Sequence, residues 1–228
     1  MNGAPLLLLP GIGGDGSAWG DMPGGQVLTS AAASVDAMAD DILIRAPDRF
    51  ALAGSSLGGY VALAIMRRAP ERVTRLALIS TSAMPDSETQ KQLRAKMIAA
   101  AERDYERLIG AMLPGMVHPE ALPALADGLT AMLRRAGSAT FIRQQRAAAA
   151  RPDARSALAA IGVPTLVLAG EDDQIIPPAR SVELADAIPS ARLVLLPRCG
   201  HIPALERPAE TRAAMLDWLR EGTAPSRA

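Results

Sequence analysis

At 228 residues the chain is long enough to bury a full core, and its length fits one α/β domain with an insertion better than two independent domains. Apolar residues make up 49% and charged residues 21%, and 24 basic side chains balance 24 acidic ones; with no basic run, neither nucleic acid nor a membrane is an expected partner. The single cysteine, Cys199, excludes an internal disulfide framework and fits a reducing, cytoplasmic compartment, and no Cys and His spacing matches a metal site. The apolar run Leu6 to Leu9, cut by Pro10 and with no basic residue ahead of it, is too short for a signal peptide core, and disorder is expected only in the tail around Ala224 to Arg227.

Taken in order, residues 5–9 form a continuous apolar run of the kind a strand buried on both faces requires. The loop after it, Pro10-Gly11-Ile12-Gly13-Gly14-Asp15-Gly16, satisfies Gly-x-Gly-x-x-Gly, the pattern of a dinucleotide-binding turn. That reading fails on context: a dinucleotide fold needs a long helix straight after the glycines, and Gly20, Pro23, Gly24 and Gly25 forbid one. No cofactor is expected. A short strand follows at 26–29, and then Val35, Met38, Ala39, Ile42 and Ala46 recur at helical spacing up to Pro47. Residues 49–53 predict a strand running into Gly54-Ser55-Ser56-Leu57-Gly58. Tyr60 to Ala69 reads as a buried helix ended by Pro70, and Val73 to Ser80 as a further strand.

Between 83 and 151 strand-like runs vanish. Leu93, Met97, Ala101, Tyr105, Leu108 and Met112 define one helical stripe, Leu122, Leu125, Leu129 and Met132 a second, with a break expected at Pro114-Gly115 and a third short helix from Phe141 to Ala150. The alternation then resumes: a helix at Asp153 to Ala160, a strand at 165–169, a loop from Gly170 to Pro178, a helix at 179–187, a strand at 192–196 and a closing helix from Pro208 to Arg220. Strands alternating with helices predict a mostly parallel, six-stranded sheet with helices on both faces.

Three groups capable of joint chemistry fall at the carboxyl ends of predicted strands, where open parallel sheets carry their sites. Ser56 has glycine at both −2 and +2, as a serine on a sharp strand-to-helix corner requires, whereas its neighbour Ser55 does not. Of the two histidines, His118 lies in the helical stretch and His201 follows a strand and a glycine, the better placed of the two to take a serine proton. An acid after 165–169 would hold the imidazole; Asp172 and Asp173 both qualify. Cys199 has no base to activate it and is expected to be a packed side chain.

Together, the Leu-Leu-Leu-Leu-Pro-Gly opening, the Gly-Ser-Ser-Leu-Gly-Gly corner, Gly170-Glu-Asp-Asp-Gln-Ile-Ile-Pro177 and Cys199-Gly-His-Ile-Pro-Ala-Leu-Glu-Arg-Pro208 resemble the α/β-hydrolase superfamily, close to its small bacterial esterase and enol-lactonase-like branch. The resemblance implies a core of residues 1–82 and 152–228 and a helical cap at 83–151. It also implies a Ser56, Asp173, His201 triad, with Asp172 the runner-up acid, and an oxyanion hole from the backbone N–H groups of Ile12 and Leu57. The implied activity is hydrolysis of a carboxylic ester, lactone or thioester through an acyl-serine, without metal or cofactor. C–C bond hydrolysis, acyl transfer and non-catalytic ligand binding on the same fold stay open. Met84, Met97, Met112, Met116 and Met132 are candidate contacts to an apolar substrate group. Two departures stand out. Pro10-Gly11 replaces the family's usual His-Gly, so a hydrogen bond supporting the oxyanion loop is expected to be missing, and the chain begins at what resembles the fold's third strand.

Overall fold

The computed structural model describes residues 4–22 and 24–220; the tail expected to be disordered, the first three residues and Pro23 lie outside them. Six strands, β1 (Leu6–Leu9), β2 (Gly25–Val27), β3 (Phe50–Ser55), β4 (Val73–Ile79), β5 (Thr165–Gly170) and β6 (Ala191–Leu196), form one sheet in the order β2-β1-β3-β4-β5-β6. Every pairing is parallel. Central strands read as unbroken apolar runs because both their faces are covered: β1 and β5 are buried at every residue. The alternation of side chains divides the core in two. Leu7 and Leu9 point to the face packed by α1 (Val35–Arg45), α2 (Leu57–Arg68) and α6 (Ala179–Ala187), while Leu6 and Leu8 point to the face packed by Trp19 and α8 (Pro208–Arg220).

The chain order reverses direction between β1 and β3, which opens a crevice at the carboxyl ends of these two neighbouring strands. The loop after β1 and the corner after β3 therefore face each other.

Three helices separate β4 from β5: α3 (Glu88–Arg103), α4 (Tyr105–Met116) and α5 (Leu122–Ala149). The single stripe expected from Leu93 to Met112 is broken at Asp104, whose extended backbone (φ −160°, ψ 93°) ends α3 while its carboxylate accepts the N–H of Arg107 at 3.0 Å and caps α4. The break expected at Pro114-Gly115 falls just after that pair, where α4 ends at Met116. Pro114 sits inside α4, in its last turn, where the missing N–H interrupts little helix. Helix α5 bends at Gly137 (φ 76°, ψ 159°), so its second half, which includes Phe141 to Ala149, runs in its own direction. Residues Arg155–Ala160, expected as an α-helix, form a 3₁₀ segment, and a short helix α7 (Pro203–Glu206) precedes α8.

The two ends of this helical segment are tied together. Ala154 N–H donates to Ala83 O at 2.9 Å, and Arg151 Nε donates to Met84 O at 2.9 Å. The buried carboxylate of Asp86 pairs with Arg151 and, at 2.5 Å, with Arg94, and the Arg151 guanidinium lies 4.1 Å from the ring centre of Tyr60.

Candidate active site

Ser56 occupies the corner between β3 and α2 with φ +52° and ψ −113°, a left-handed conformation that costs a non-glycine residue energy. Surrounding contacts hold it there. Its N–H donates to Ile79 O at 2.9 Å, and its carbonyl accepts from Gly59 N–H at 2.9 Å and from the Thr81 hydroxyl at 2.8 Å. The corner is tight because α2 starts directly under β1: a Cβ on Gly58 would lie 1.9 Å from the carbonyl oxygen of Leu9. Among the described residues the non-glycine positions with left-handed φ are Ser56, Ser80 and Arg198, just beyond the ends of β3, β4 and β6. Strain is concentrated on one edge of the sheet.

The loop 10–14 lies against this serine. A Cβ on Gly11 would sit 3.2 Å from Ser56 Cβ and 3.7 Å from its Oγ. The loop is closed by Gly14 N–H donating to Gly11 O at 3.0 Å, and Gly13 takes φ +68°. Gly13 N–H donates to the buried side-chain carbonyl of Gln144, on α5, at 2.7 Å. Ile12 packs both on the main core and on the cluster of Met97, Tyr105, Met112 and Phe141 from the helical segment.

At the other side of the same edge, Asp173 and His201 meet. His201 Nδ1 lies 2.8 Å from Asp173 Oδ2, and Oδ1 of the same carboxylate accepts the N–H groups of Ile175 and Ile176, each at 2.9 Å. The Asp173 side chain is fully buried and that of His201 is 9% exposed, so the ring is aimed by one carboxylate whose own orientation is fixed by the backbone. Asp172 is exposed instead, and its carboxylate lies 3.9 Å from Nε2 of the other histidine, His118. The strand ends are locked to each other by Glu171 N–H to Leu196 O and Asp172 N–H to Cys199 O, both 2.9 Å.

Two further residues anchor the histidine loop. His201 N–H donates to Met116 O at 3.1 Å, and the Glu206 carboxylate accepts three backbone N–H groups, from His118 and Gly200 at 2.7 Å and from Ile202 at 2.9 Å. Cys199 is fully buried; burial first, then the nearby Glu206 carboxylate, pushes its thiol well above the ordinary cysteine range. That thiol is inert packing.

A family profile described as "alpha/beta hydrolase fold" matches residues 30–208. The chain belongs to the α/β-hydrolase family. This α/β hydrolase is 30% identical over 252 residues to a pimeloyl-[acyl-carrier protein] methyl ester esterase of Aromatoleum aromaticum, covering 96% of this chain and all of that one. Among solved structures it is similar to a thermophilic esterase from Thermogutta terrifontis (TM-score 0.86, 29% identity, 96% of this chain and 90% of that chain). It is also similar in fold to the enol-lactonase from Burkholderia xenovorans LB400 (TM-score 0.84, 24% identity, 96% and 92%).

The hydrolase sequence shows Ser56, His201 and the two neighbouring acids through their flanking glycines and prolines, but three supports carry no local mark. Thr81, Gln144 and Glu206 each act on backbone groups distant in sequence or hidden in a loop. The methionines also divide. Met97 and Met112 pack near Ile12, Met116 and Met132 are buried among Ile109, Leu129 and Leu133, and Met84 lines a separate cleft of about 290 Å³ with Arg155, Arg180 and Glu183.

Proposed function

We propose that this α/β hydrolase cleaves carboxylic esters through an acyl-serine intermediate, with Ser56 as nucleophile, His201 as general base and acid, and Asp173 as the carboxylate that holds His201. The observation that carries the reading is the 2.8 Å bond from His201 Nδ1 to a buried carboxylate already fixed by two backbone donors, on the sheet edge that also holds the strained Ser56. With Nδ1–H held by Asp173, the lone pair of His201 Nε2 is the one available to take the Ser56 hydroxyl proton.

The Ser56 oxygen attacks the ester carbonyl and Nε2 accepts its proton; Asp173 stabilises the imidazolium that results. Negative charge develops on the former carbonyl oxygen. Leu57 N–H, at the positive end of α2, and Ile12 N–H are the donors assigned to it. Gly13 N–H is spent on Gln144, which leaves Ile12 as the better-placed donor of the loop. Collapse of the tetrahedral adduct returns the proton from Nε2 to the departing alcohol. A water then repeats the sequence on the acyl-serine and releases the acid.

Residues 1–82 and 152–228 serve as the catalytic core and 83–151 as a cap. Support for the division comes from the joined ends of the helical segment at Ala83 and Ala154 and from its contacts to both site loops. Its apolar inner residues, Met97, Met112, Tyr105 and Phe141, suit an ester with an apolar acyl or alcohol part rather than a charged one. The relatives' esterase and lactonase names fit the same chemistry, since an ester and a lactone present one electrophile.

The test is a panel of p-nitrophenyl esters, lactones and thioesters run on the parent and on Ser56→Ala, beside fluorophosphonate labelling with mass analysis of the modified peptide. Label on Ser56 and loss of turnover in Ser56→Ala are expected. Undiminished turnover in that variant would refute the mechanism, and label without turnover of any ester would leave a binding protein of this fold.

A further inference from the structure

The geometry points to Gln144 as a positioning residue for the oxyanion hole, one that substitutes from the cap for the loop support that Pro10 cannot give. The inference rests on the proposed reading of Ile12 N–H as an oxyanion donor.

Loop 10–14 has little to hold it from within. Pro10 has no N–H, Ile12 is wanted for catalysis, and the one internal bond is Gly14 N–H to Gly11 O at 3.0 Å. Gln144 supplies the missing tie. Its Oε1 accepts Gly13 N–H at 2.7 Å, it is 7% exposed, and it comes from 131 residues away in the second half of α5. Gly13 is the residue directly after Ile12, so fixing the Gly13 peptide fixes the plane that follows the Ile12 N–H. The other contact on Gly13 comes from the same helix: a Cβ there would lie 2.6 Å from Leu133 Cδ2, and the left-handed φ of +68° already disfavours one. The gap that Gln144 shares with Leu9, Pro10, Leu57, Gly58 and Val61 is only about 20 Å³, so the amide is packed as well as bonded. Leu57, the other proposed oxyanion donor, borders the same gap. One cap side chain thus touches the surroundings of both donors.

Fixed donors are worth more than adjustable ones because they need no reorganisation as charge develops. Loss of the Gln144 tie lets the Ile12 N–H swing away from the position the oxyanion occupies, and a misplacement of this kind costs on the order of ten- to a hundredfold in kcat. Ground-state binding, which depends on the apolar cap residues, changes far less. A small replacement such as alanine would open room for a water to take over as acceptor, so the informative variants keep the volume.

The experiment compares Gln144→Leu and Gln144→Met with the parent on a matched p-nitrophenyl ester and thionoester, with thermal melts of each protein and Ser56→Ala as the reference. Sulfur is a weak hydrogen-bond acceptor, so a thionoester gains little from an oxyanion hole. The expected result is a folded variant whose kcat on the ester falls by about ten- to a hundredfold with KM within about threefold, while the thionoester rate falls much less. Either variant suffices if the other does not fold. Unchanged ester kcat, or an equal loss on ester and thionoester, would overturn the role of Gln144 while leaving the triad intact. Retained activity in Ser56→Ala would instead overturn the reading on which it rests.

Discussion

Replacing Asp173 with asparagine keeps the size and shape of the side chain but leaves it one carbonyl oxygen instead of two. In the parent, Oδ1 accepts the N–H groups of Ile175 and Ile176 at 2.9 Å and Oδ2 faces His201 Nδ1 at 2.8 Å. The amide of Asp173→Asn has to choose. Turning its NH₂ toward Ile175 and Ile176 would oppose two backbone donors, and the buried one, on Ile176, left unpaired costs about 1–3 kcal/mol. Keeping the oxygen there turns the NH₂ toward His201, so Nδ1 must accept and the ring proton moves to Nε2. That nitrogen then cannot take the proton of Ser56. A wrong tautomer of this kind costs about 10⁴ in kcat, or about 5.4 kcal/mol of transition-state stabilisation. The assay is kcat on a p-nitrophenyl ester, with a melt to show that the fold persists and Asp172→Asn as control. Asp172 is exposed and 3.9 Å from His118, and its replacement should change kcat by less than about threefold. A rate for Asp173→Asn within about tenfold of the parent, or a larger loss in Asp172→Asn, would refute the assignment of the acid.

Three further outcomes concern stability. Cys199 keeps its proton in the fold because burial and the Glu206 carboxylate raise its pKa, whereas the unfolded thiol ionises near the usual value of about 8.5. Its contribution is therefore whole below that pH and is lost as pH rises above it. Between about pH 8 and about pH 9.5 the parent should lose about 1.2 kcal/mol that Cys199→Ala does not, measured by urea unfolding at the two pH values. Asp86→Asn would leave the guanidinium of Arg151, 5% exposed, without its carboxylate, and should cost about 3–5 kcal/mol in the same assay. Gly128 is exposed in α5, and a Cβ added to it would meet nothing within 4 Å. It should accept alanine with a gain of about 0.5–1 kcal/mol, read as a higher urea midpoint at unchanged slope.

The sheet is legible in the sequence because burial on both faces demands uninterrupted apolar runs, and Gly and Pro punctuate their ends: Leu6–Leu9 stops at Pro10 and Thr165–Gly170 at a charged loop. The site corners are legible for a related reason. Ser56 needs a glycine two residues on because α2 passes under Leu9, while the residues alone leave Asp172 and Asp173 level and only the family resemblance favours Asp173, the one whose carboxylate meets His201. Helix boundaries between β4 and β5 are less so. Pro114-Gly115 is the stronger breaker by propensity, but a proline in a last turn removes little, while Asp104 ends one helix and caps the next with a single side chain. Gln144 is invisible for a different reason. Its partner is a backbone N–H 131 residues away, and in a stretch of Gln, Arg and Ala nothing local separates a buried amide from a solvated one.

Thr81 apart, which holds the Ser56 carbonyl, the contacts on the loops of Ile12 and His201 share a direction. Gln144 and Leu133 press on the loop that carries Ile12; Met116 O and His118 N–H, the latter through Glu206, hold the loop that carries His201. All four residues lie between β4 and β5, outside the sheet that supplies Ser56 and Asp173. Ser56 is thus set by backbone strain and the Asp173 carboxylate by its own loop, whereas the proposed base and the proposed oxyanion loop are braced from the helical segment. Substitutions that loosen that segment should lower kcat before they unfold the sheet, since a fraction of an ångström at these two loops matters to proton transfer and oxyanion binding but not to the packing of the six strands.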